Sequence, residues 1–360
     1  MRVGFVGWRG MVGSVLMQRM RACGDFDGLE AGFFSTSSPG AAGPPEATTL
    51  LLDARDPQAL AAWPVLVSCQ GGEFTKAIYP RLRAAGWDGI WIDAAGALRM
   101  ADEACLVLDP VNGPAIEAAL HAGTRTFVGA NCTVSLMVMG LAGLLRSGLV
   151  EWVSTMSYQA ASGAGARHLA ELVAQMQAFG GLDVGASPLE LSERAAQVLA
   201  SPLLPTTQFG APLAANVLPW IDRLVDDGQT REEWKGMAEA NKLLGTTDLV
   251  VDGLCVRVGA LRCHAQALTI KLTRDVPLDE VAALIGEAHD WVDLVENAEQ
   301  ATLTRLTPVA VAGSLRVPVG RLRKMKQGGD HVTCFTVGDQ LLWGAAEPLR
   351  RMLGILRASA

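Results

Sequence analysis

What most narrows the folds open to this chain is its first strand and the turn behind it. Val3-Gly4-Phe5-Val6 is a short apolar run of the kind buried on both faces of a sheet, and it feeds Gly7-Trp8-Arg9-Gly10-Met11-Val12-Gly13. Val15, Leu16 and Met20 then recur at helical spacing. Strand, glycine-rich turn and helix open a dinucleotide-binding unit, because bare backbone can approach a pyrophosphate and the helix N-terminus faces its charge. The glycines are spaced GxxGxxG rather than GxGxxG, so the signal draws its weight from its place directly after the first strand. A purely structural turn is the alternative.

The same alternation continues. Ala31-Gly32-Phe33-Phe34, Val65-Leu66-Val67-Ser68, Ile90-Trp91-Ile92-Asp93, Cys105-Leu106-Val107-Leu108 and Thr126-Phe127-Val128 read as further strands, with a helix expected over residues 75–85. Such a βαβ series implies an α/β fold with a mainly parallel, Rossmann-like sheet and ligands at the carboxyl ends of its strands. At the end of the second strand an NAD site would carry Asp or Glu for the ribose 2′-hydroxyl. Ser35-Thr36-Ser37-Ser38 stands there instead, with Arg9 in the glycine turn nearby. Hydroxyls beside a guanidinium suit a 2′-phosphate, so NADP is the expected cofactor. Arg99, following Asp93-Ala94-Ala95-Gly96, falls on a loop at the ligand edge, although a lone Arg is more often a surface charge.

Phe127-Val128-Gly129-Ala130-Asn131-Cys132-Thr133-Val134-Ser135 carries the strongest chemical signal. Apolar residues run into Gly129, and a helix is expected over 133–147, so Cys132 sits at or near a helix N-terminus. Unpaired N–H groups and the positive dipole end favour a thiolate there. The same N–H groups, helped by the Asn131 side chain, can stabilise an oxyanion on a carbonyl attached to the sulfur. The competing reading is a small buried hydrophobe, as most free cysteines are.

At 360 residues, half of them hydrophobic, two domains are expected. A net charge of −7 with no clustered Lys/Arg face argues against nucleic acid. The seven cysteines are odd in number, scattered, and include no CxxC pair, so neither a disulfide framework nor a metal site is expected, and a reducing compartment is. Met1-Arg2 leads into a strand without signal-peptide anatomy, and no run of about 18 apolar residues suggests a membrane span. The expected location is cytoplasmic.

Beyond residue 147 the pattern changes. Val153-Ser154-Thr155-Met156-Ser157-Tyr158-Gln159 alternates like a strand of an antiparallel sheet and runs into a second glycine-rich loop around Ser162-Gly163-Ala164-Gly165-Ala166, before a helix over 167–179. Residues 181–215, with four prolines, read as loop with at most one short helix. Thr230 and Glu233 have capping-box spacing, and Glu232 and Lys235 share a helix face on which they can simply pair with each other. Residues 250–272 form the main β segment. Arg257 and His264, seven apart, would face opposite ways on one continuous strand, so a shared site requires a bend or turn near Gly259. Helices are expected over 278–288 and 341–356, the last returning to the first domain with Gln340 near the cofactor.

Taken together the chain resembles the bacterial aspartate-β-semialdehyde dehydrogenases. The resemblance is carried by the blocks at 4–16, 129–135 and 158–163, by Arg231-Glu232-Glu233-Trp234-Lys235-Gly236, by 257–264 and by 335–344, in the family's order from end to end. It implies a Rossmann-like NADP-binding domain formed by 1–131 and 340–360. A catalytic and dimerisation domain over 132–339, with a mostly antiparallel mixed sheet, would complete a homodimeric enzyme. The implied reaction interconverts aspartate 4-semialdehyde, phosphate and NADP⁺ with 4-phospho-aspartate and NADPH, supplying lysine through diaminopimelate, threonine and methionine. By resemblance Cys132 is the nucleophile and His264, titrating near neutrality, the acid–base. Gln159 orients the substrate, Arg257 and Glu232 take its carboxylate and ammonium, and Arg99 and Lys235 bind phosphate. Cofactor contacts carry over to Arg9, Gly10, Met11, Val12, Thr36, Ser37, Gln70, Ser162, Gly163, Ala164, Gly165, Ala166, Pro188 and Gln340. A sibling acting on N-acetylglutamyl phosphate would need no Glu for a free ammonium, and Glu232 stands against it.

Overall fold

The computed structural model describes residues 1–225 and 228–359, so Ala360, the last residue of the expected 340–360 segment, lies outside the described residues. Seven strands, β1 (Arg2–Val6), β2 (Glu30–Ser35), β3 (Leu52–Asp53), β4 (Val65–Ser68), β5 (Ile90–Asp93), β6 (Ala104–Val107) and β7 (Thr126–Gly129), form one sheet in the order β3-β2-β1-β4-β5-β7-β6. Every pairing in it is parallel. Alternate residues of the short apolar strands point to opposite faces, and both faces are covered. Val3 and Phe5 pack with Leu16 and Met20 of the helix Met11–Ala22 and with Leu349, Met352 and Leu353 of the closing helix Glu347–Ala358. On the other face Val6, Phe34 and Trp91 meet Ile78, Tyr79 and Leu82 of the helix Gly72–Ala84.

The second sheet contains β8 (Val150–Gln159), β9 (Val217–Leu218), β10 (Val250–Val258), β11 (His264–Leu272), β12 (Val292–Leu294), β13 (Val317–Met325) and β14 (Gly328–Gly338), in the order β12-β13-β14-β11-β8-β10-β9. It is mixed and mostly antiparallel, with parallel pairs only at β8–β10 and β12–β13. Its inner face packs on the helix Cys132–Arg146, whose side chains from Val134 to Leu144 are buried on nearly every side. That helix therefore cannot be amphipathic in the usual sense, and its sequence is apolar from Leu136 to Leu145.

One detail meets a requirement of the sequence reading and two differ from it. Residues 250–272 are two strands joined by a turn at 259–263, where Cys263 adopts φ +74. This is the bend that Arg257 and His264 require. The 181–215 stretch contains a twelve-residue helix, Pro188–Leu199, started by Ser187, whose hydroxyl accepts from the Glu190 N–H. Its remaining loop hangs on the helix Ala166–Gln177: Glu171 accepts the N–H groups of Gln208 and Phe209, and Gln175 those of Leu213 and Ala214. The closing segment begins as a π-helical turn, Leu342–Ala346, and becomes α-helical only at Glu347, because Pro348 has no N–H to continue the preceding ladder.

The close crossing of two helices offers a direct test of this packing. An added Cβ at Gly143 would fall 1.8 Å from the main-chain oxygen of Leu284. Gly143→Ala is expected to destabilise the fold by about 2 kcal/mol, since backbone rather than a flexible side chain must yield. Thermal unfolding of the variant beside wild type measures it, and an unchanged midpoint would refute the crossing.

Candidate active site

The C-terminal edge of the parallel sheet meets the second sheet at Asn131, the N-cap of the Cys132–Arg146 helix. Its Oδ1 accepts from the Thr133 N–H (2.9 Å), the Thr133 hydroxyl (2.6 Å) and the Val134 N–H (3.3 Å), which fixes Cys132 as the first helical residue. Its other polar groups go to the helix Arg231–Leu244, which opens with the expected capping box of Thr230 and Glu233. Asn131 Nδ2 donates to Glu232 at 2.9 Å, and its main-chain N–H donates to Glu239 at 2.7 Å. The acceptor oxygen of Asn131 is consumed by the cap and one Nδ2 donor serves Glu232, which leaves one amide donor at the cavity wall for the oxyanion role expected of it. The first-turn N–H groups of Thr133 and Val134 are occupied by the same cap.

A cavity of ≈ 380 Å³ opens beside Cys132. Arg99, Gln159, Glu232, Lys235 and Arg257 all line it, together with Met11, Val12, Gln340 and the loop residues Ser162, Gly163, Ala164 and Gly165. Strand order explains the grouping. Gln159 ends β8, Arg257 is its register partner on β10, and His264 begins β11 one step beyond the Ala265–Tyr158 pair. The glycine loop leaves β8 at Ala160, whose N–H donates to His264 Nδ1 (3.0 Å) and whose carbonyl accepts from Arg257 Nη1 (2.8 Å). His264 is fully buried just behind Gly163, where an added Cβ would lie 2.7 Å from the ring carbon Cε1.

Charge is distributed differently from the sequence expectation. Burial pushes the Cys132 thiol up to about 11, reinforced by Glu232, while Arg99, Arg257 and Lys235 pull the other way. The helix terminus does not deliver a ready thiolate in the free chain. Burial, then the neighbouring Arg257, hold His264 down at about 3, so it is neutral rather than titrating near neutrality. Since Nδ1 accepts from Ala160, the ring proton is assigned to Nε2. Burial opposes ionisation of Glu232, but Lys235 at 2.7 Å and Asn131 outweigh it and keep the carboxyl below its ordinary range. Glu232 and Lys235 thus do pair with each other, and Lys235 also reaches Asp222 at 3.2 Å. Arg99 is buried rather than a surface charge, held by Gly129 O (2.8 Å), Ala94 O (3.3 Å) and Glu239 (3.3 Å).

A second cavity, ≈ 310 Å³, is lined by Gly7, Arg9, Gly10, Ser35, Thr36, Ser37 and Gln70. Gly7 has φ +75, and a Cβ there would strike the Cys69–Gln70 backbone at 2.5 Å, so only glycine admits this close turn. Arg9 Nη2 donates to the hydroxyls of Ser35 (2.7 Å), Ser37 (3.1 Å) and Ser38 (3.3 Å), a cluster of donors around one cation. The residues present fit a dinucleotide and its phosphates. Gln340 lines the first cavity, yet both ends of its amide are engaged: Oε1 accepts from the Cys263 N–H (2.7 Å) and Nε2 donates to Ser162 (2.6 Å). Ala166 starts the helix after the loop, and neither it nor Pro188, exposed at the first turn of its helix, lines either cavity. Residues missed from sequence include Glu239, Asp222 and Gly344, whose Cβ would fall 2.4 Å from that of Cys132. Only Glu239 left a readable signal, standing two helical turns after Glu232 on the same face.

A Rossmann-like sheet whose edge opens onto a cleft holding a cysteine at a helix start defines a two-domain α/β oxidoreductase. Residues 2–119 match the family model described as "Semialdehyde dehydrogenase, NAD binding domain", and residues 141–343 match "Semialdehyde dehydrogenase, dimerisation domain". The structure superposes on aspartate semialdehyde dehydrogenase from Francisella tularensis with TM-score 0.96 and 45% identity, covering 99% of this chain and 100% of that one. The chain therefore belongs to the aspartate semialdehyde dehydrogenase family. Two more distant structures share the fold. Aspartate semialdehyde dehydrogenase II of Vibrio cholerae, complexed with ASA, has TM-score 0.82 and 23% identity, covering 99% of this chain and 98% of that one. The Candida albicans enzyme with NADP has TM-score 0.67 and 16% identity over the same shares.

The electrostatics of Cys132 can be read directly. Its alkylation by iodoacetamide in the free protein is expected to keep rising with pH beyond neutrality, because the thiolate fraction grows about tenfold per unit below the pKa. Mass-spectrometric rates at Cys132 that level off below pH 8 would overturn this.

Proposed function

We propose that the chain catalyses the reversible, phosphate-dependent oxidation of L-aspartate 4-semialdehyde to 4-phospho-L-aspartate with NADP, through an acyl thioester on Cys132. The observation that carries this reading is a single cavity lined at once by a thiol, by a carboxylate already paired to Lys235, and by Arg99, Lys235 and Arg257. A free amino acid offers an ammonium and a carboxylate for the Glu232 and Arg257 positions. Arg257 has donors left beyond its bond to Ala160.

Cys132 sulfur adds to the aldehyde carbon, and the hemiacetal oxygen gains one proton. His264 serves as the acid–base group: its Nε2 proton passes to that oxygen and the thiol proton takes its place on the ring, which ends neutral as it began. The Cys132 N–H, at the first helical position, and Gln159 flank the sulfur as supports for developing negative charge. The nicotinamide cofactor held between the Arg9 turn and the 162–166 loop would supply the hydride acceptor in this direction and the hydride donor in the other. Loss of the hemiacetal proton leaves a thioester, which phosphate held by Arg99 and Lys235 cleaves with the sulfur as leaving group. Covalent capture divides one difficult step into two.

Arg9 with Ser35, Ser37 and Ser38 would hold the 2′-phosphate, while Gly10, Met11, Val12, Thr36, Gln70 and the 162–166 loop would contact the rest of the cofactor. We assign residues 1–131 and 340–360 to the cofactor domain and 132–339 to the catalytic and dimerisation domain. Homodimerisation is supported by the outer face of the second sheet, where Trp152, Met156 and Leu254 are partly or largely exposed. No helix among the described residues is long and apolar enough to cross a membrane. A cytoplasmic role in lysine, threonine and methionine synthesis completes the reading.

Reduction of NADP followed by absorbance, with aspartate semialdehyde and phosphate, tests the core of it. Cys132→Ala is expected to lower the phosphate-dependent rate roughly a thousandfold or more. Wild-type inactivity here, with reduction of N-acetylglutamyl phosphate instead, would mean that Glu232 has been misassigned. Arg9→Ala should cut the NADP-over-NAD preference in kcat/KM by about tenfold; an unaltered ratio would remove Arg9 from cofactor selection.

A further inference from the structure

The helix that brings Glu232 and Lys235 to the cleft brings a third charged group that the reaction as described leaves unused. Glu239 lies two turns beyond Glu232 on the same face of Arg231–Leu244 and is 2% exposed. A carboxylate so buried persists only with partners that offset its lost hydration. Glu239 has two, on either side of the nucleophile's turn. One oxygen accepts the Asn131 N–H at 2.7 Å, and the other stands 3.3 Å from Arg99 Nη1.

Arg99 has five N–H donors in a rigid fork. Nε is spent on Gly129, one Nη2 donor on Ala94 and one Nη1 donor on Glu239. One donor therefore remains on each terminal nitrogen, and Arg99 lines the cavity. Three bonds to three separate segments fix the plane of the guanidinium. Two of them are to main-chain carbonyls, which a side-chain substitution does not remove; the third is Glu239.

We propose that Glu239 is a positioning residue, which orients the Arg99 guanidinium so that its two remaining donors face an anionic oxygen in the cleft and, through its other oxygen, holds the Ala130–Asn131 peptide, one residue before Cys132. This rests on the assignment of Arg99 to the phosphate group. The division of labour on the helix is then explicit: Glu232 holds the Asn131 side chain, and Glu239 its main chain. An amide cannot substitute. In Glu239→Gln the single oxygen can still accept from Asn131, but the NH₂ group is then set donor-against-donor at Arg99.

The test compares full-length wild type, Glu239→Gln, Glu239→Asp and Arg99→Lys in steady-state kinetics, with thermal midpoints and NADP binding measured alongside. Glu239→Gln is expected to raise KM for phosphate roughly tenfold while KM for the aldehyde stays within about twofold. Arg99→Lys, lacking the fork, should do the same. Glu239→Asp keeps the charge but is a methylene short of spanning both partners, so a smaller rise confined to phosphate is expected; it carries the test if Glu239→Gln does not fold. A phosphate KM that moves in Arg99→Lys but not in the Glu239 variants overturns the proposal and spares the Arg99 assignment. No movement in Arg99→Lys removes that assignment and the proposal with it. An equal rise in all three Michaelis constants with a lowered midpoint reduces Glu239 to a structural tie and overturns it as well.

Discussion

The bonds of Asn131 are the constraint on which the site depends. A single residue caps the helix of the nucleophile, ends the chain's exit from the parallel sheet, and receives two carboxylates from a helix of the other half of the molecule. An N-cap alone is worth about 1 kcal/mol. Bonds to buried carboxylates are stronger than neutral ones, and leaving either partner unmatched is dearer still. The arrangement is therefore cooperative. Moving the Arg231–Leu244 helix would strand Glu232 and Glu239 and leave the donors of the capping residue unmatched in the same event.

Electrostatically the free cleft is quiet. Cys132 and His264, the two groups expected to move protons, are both neutral, and the carboxylates of Glu232 and Glu239 are matched by Lys235 and Arg99. Arg257, bonded to a carbonyl, makes no ion pair among the described residues. With Asp222 also on Lys235, three carboxylates meet three cations, so the pull on an arriving anion is local to Arg257, and burial makes it felt more than it would be at a surface. The same burial that suppresses the thiolate strengthens its attraction to those cations once formed.

Much of the architecture was legible because the periodicities were clean. Short apolar runs between glycine turns could only be strands of a covered parallel sheet, and Cys132 after Gly129 could only begin a helix. The turn between Arg257 and His264 was also legible, as a requirement of geometry rather than of composition. What could not be read was what burial does to charge. Neither the suppressed ionisation of Cys132 nor the neutrality of His264 follows from neighbours in sequence, because burial, the largest cause of both, is set by the packing of elements distant in the chain. Glu239 was overlooked for a related reason: a Glu on an amphipathic helix is usually solvated, and only its partners, more than a hundred residues away, bring it inside. Pro188 and the 181–215 stretch resisted because proline-rich sequence conceals the helix that Ser187 starts.

The chain passes between its two halves at two places, from β7 into the Cys132 helix and from β14 through the π-helical turn to the closing helix. Gly344, in that turn, lies directly against Cys132. Two covalent crossings define an axis, and atoms in any rotation travel in proportion to their distance from it. Cys132 starts the helix at one crossing and touches Gly344 in the other, so it lies beside that axis. Whatever excursions the two halves make, the nucleophile is the point they disturb least.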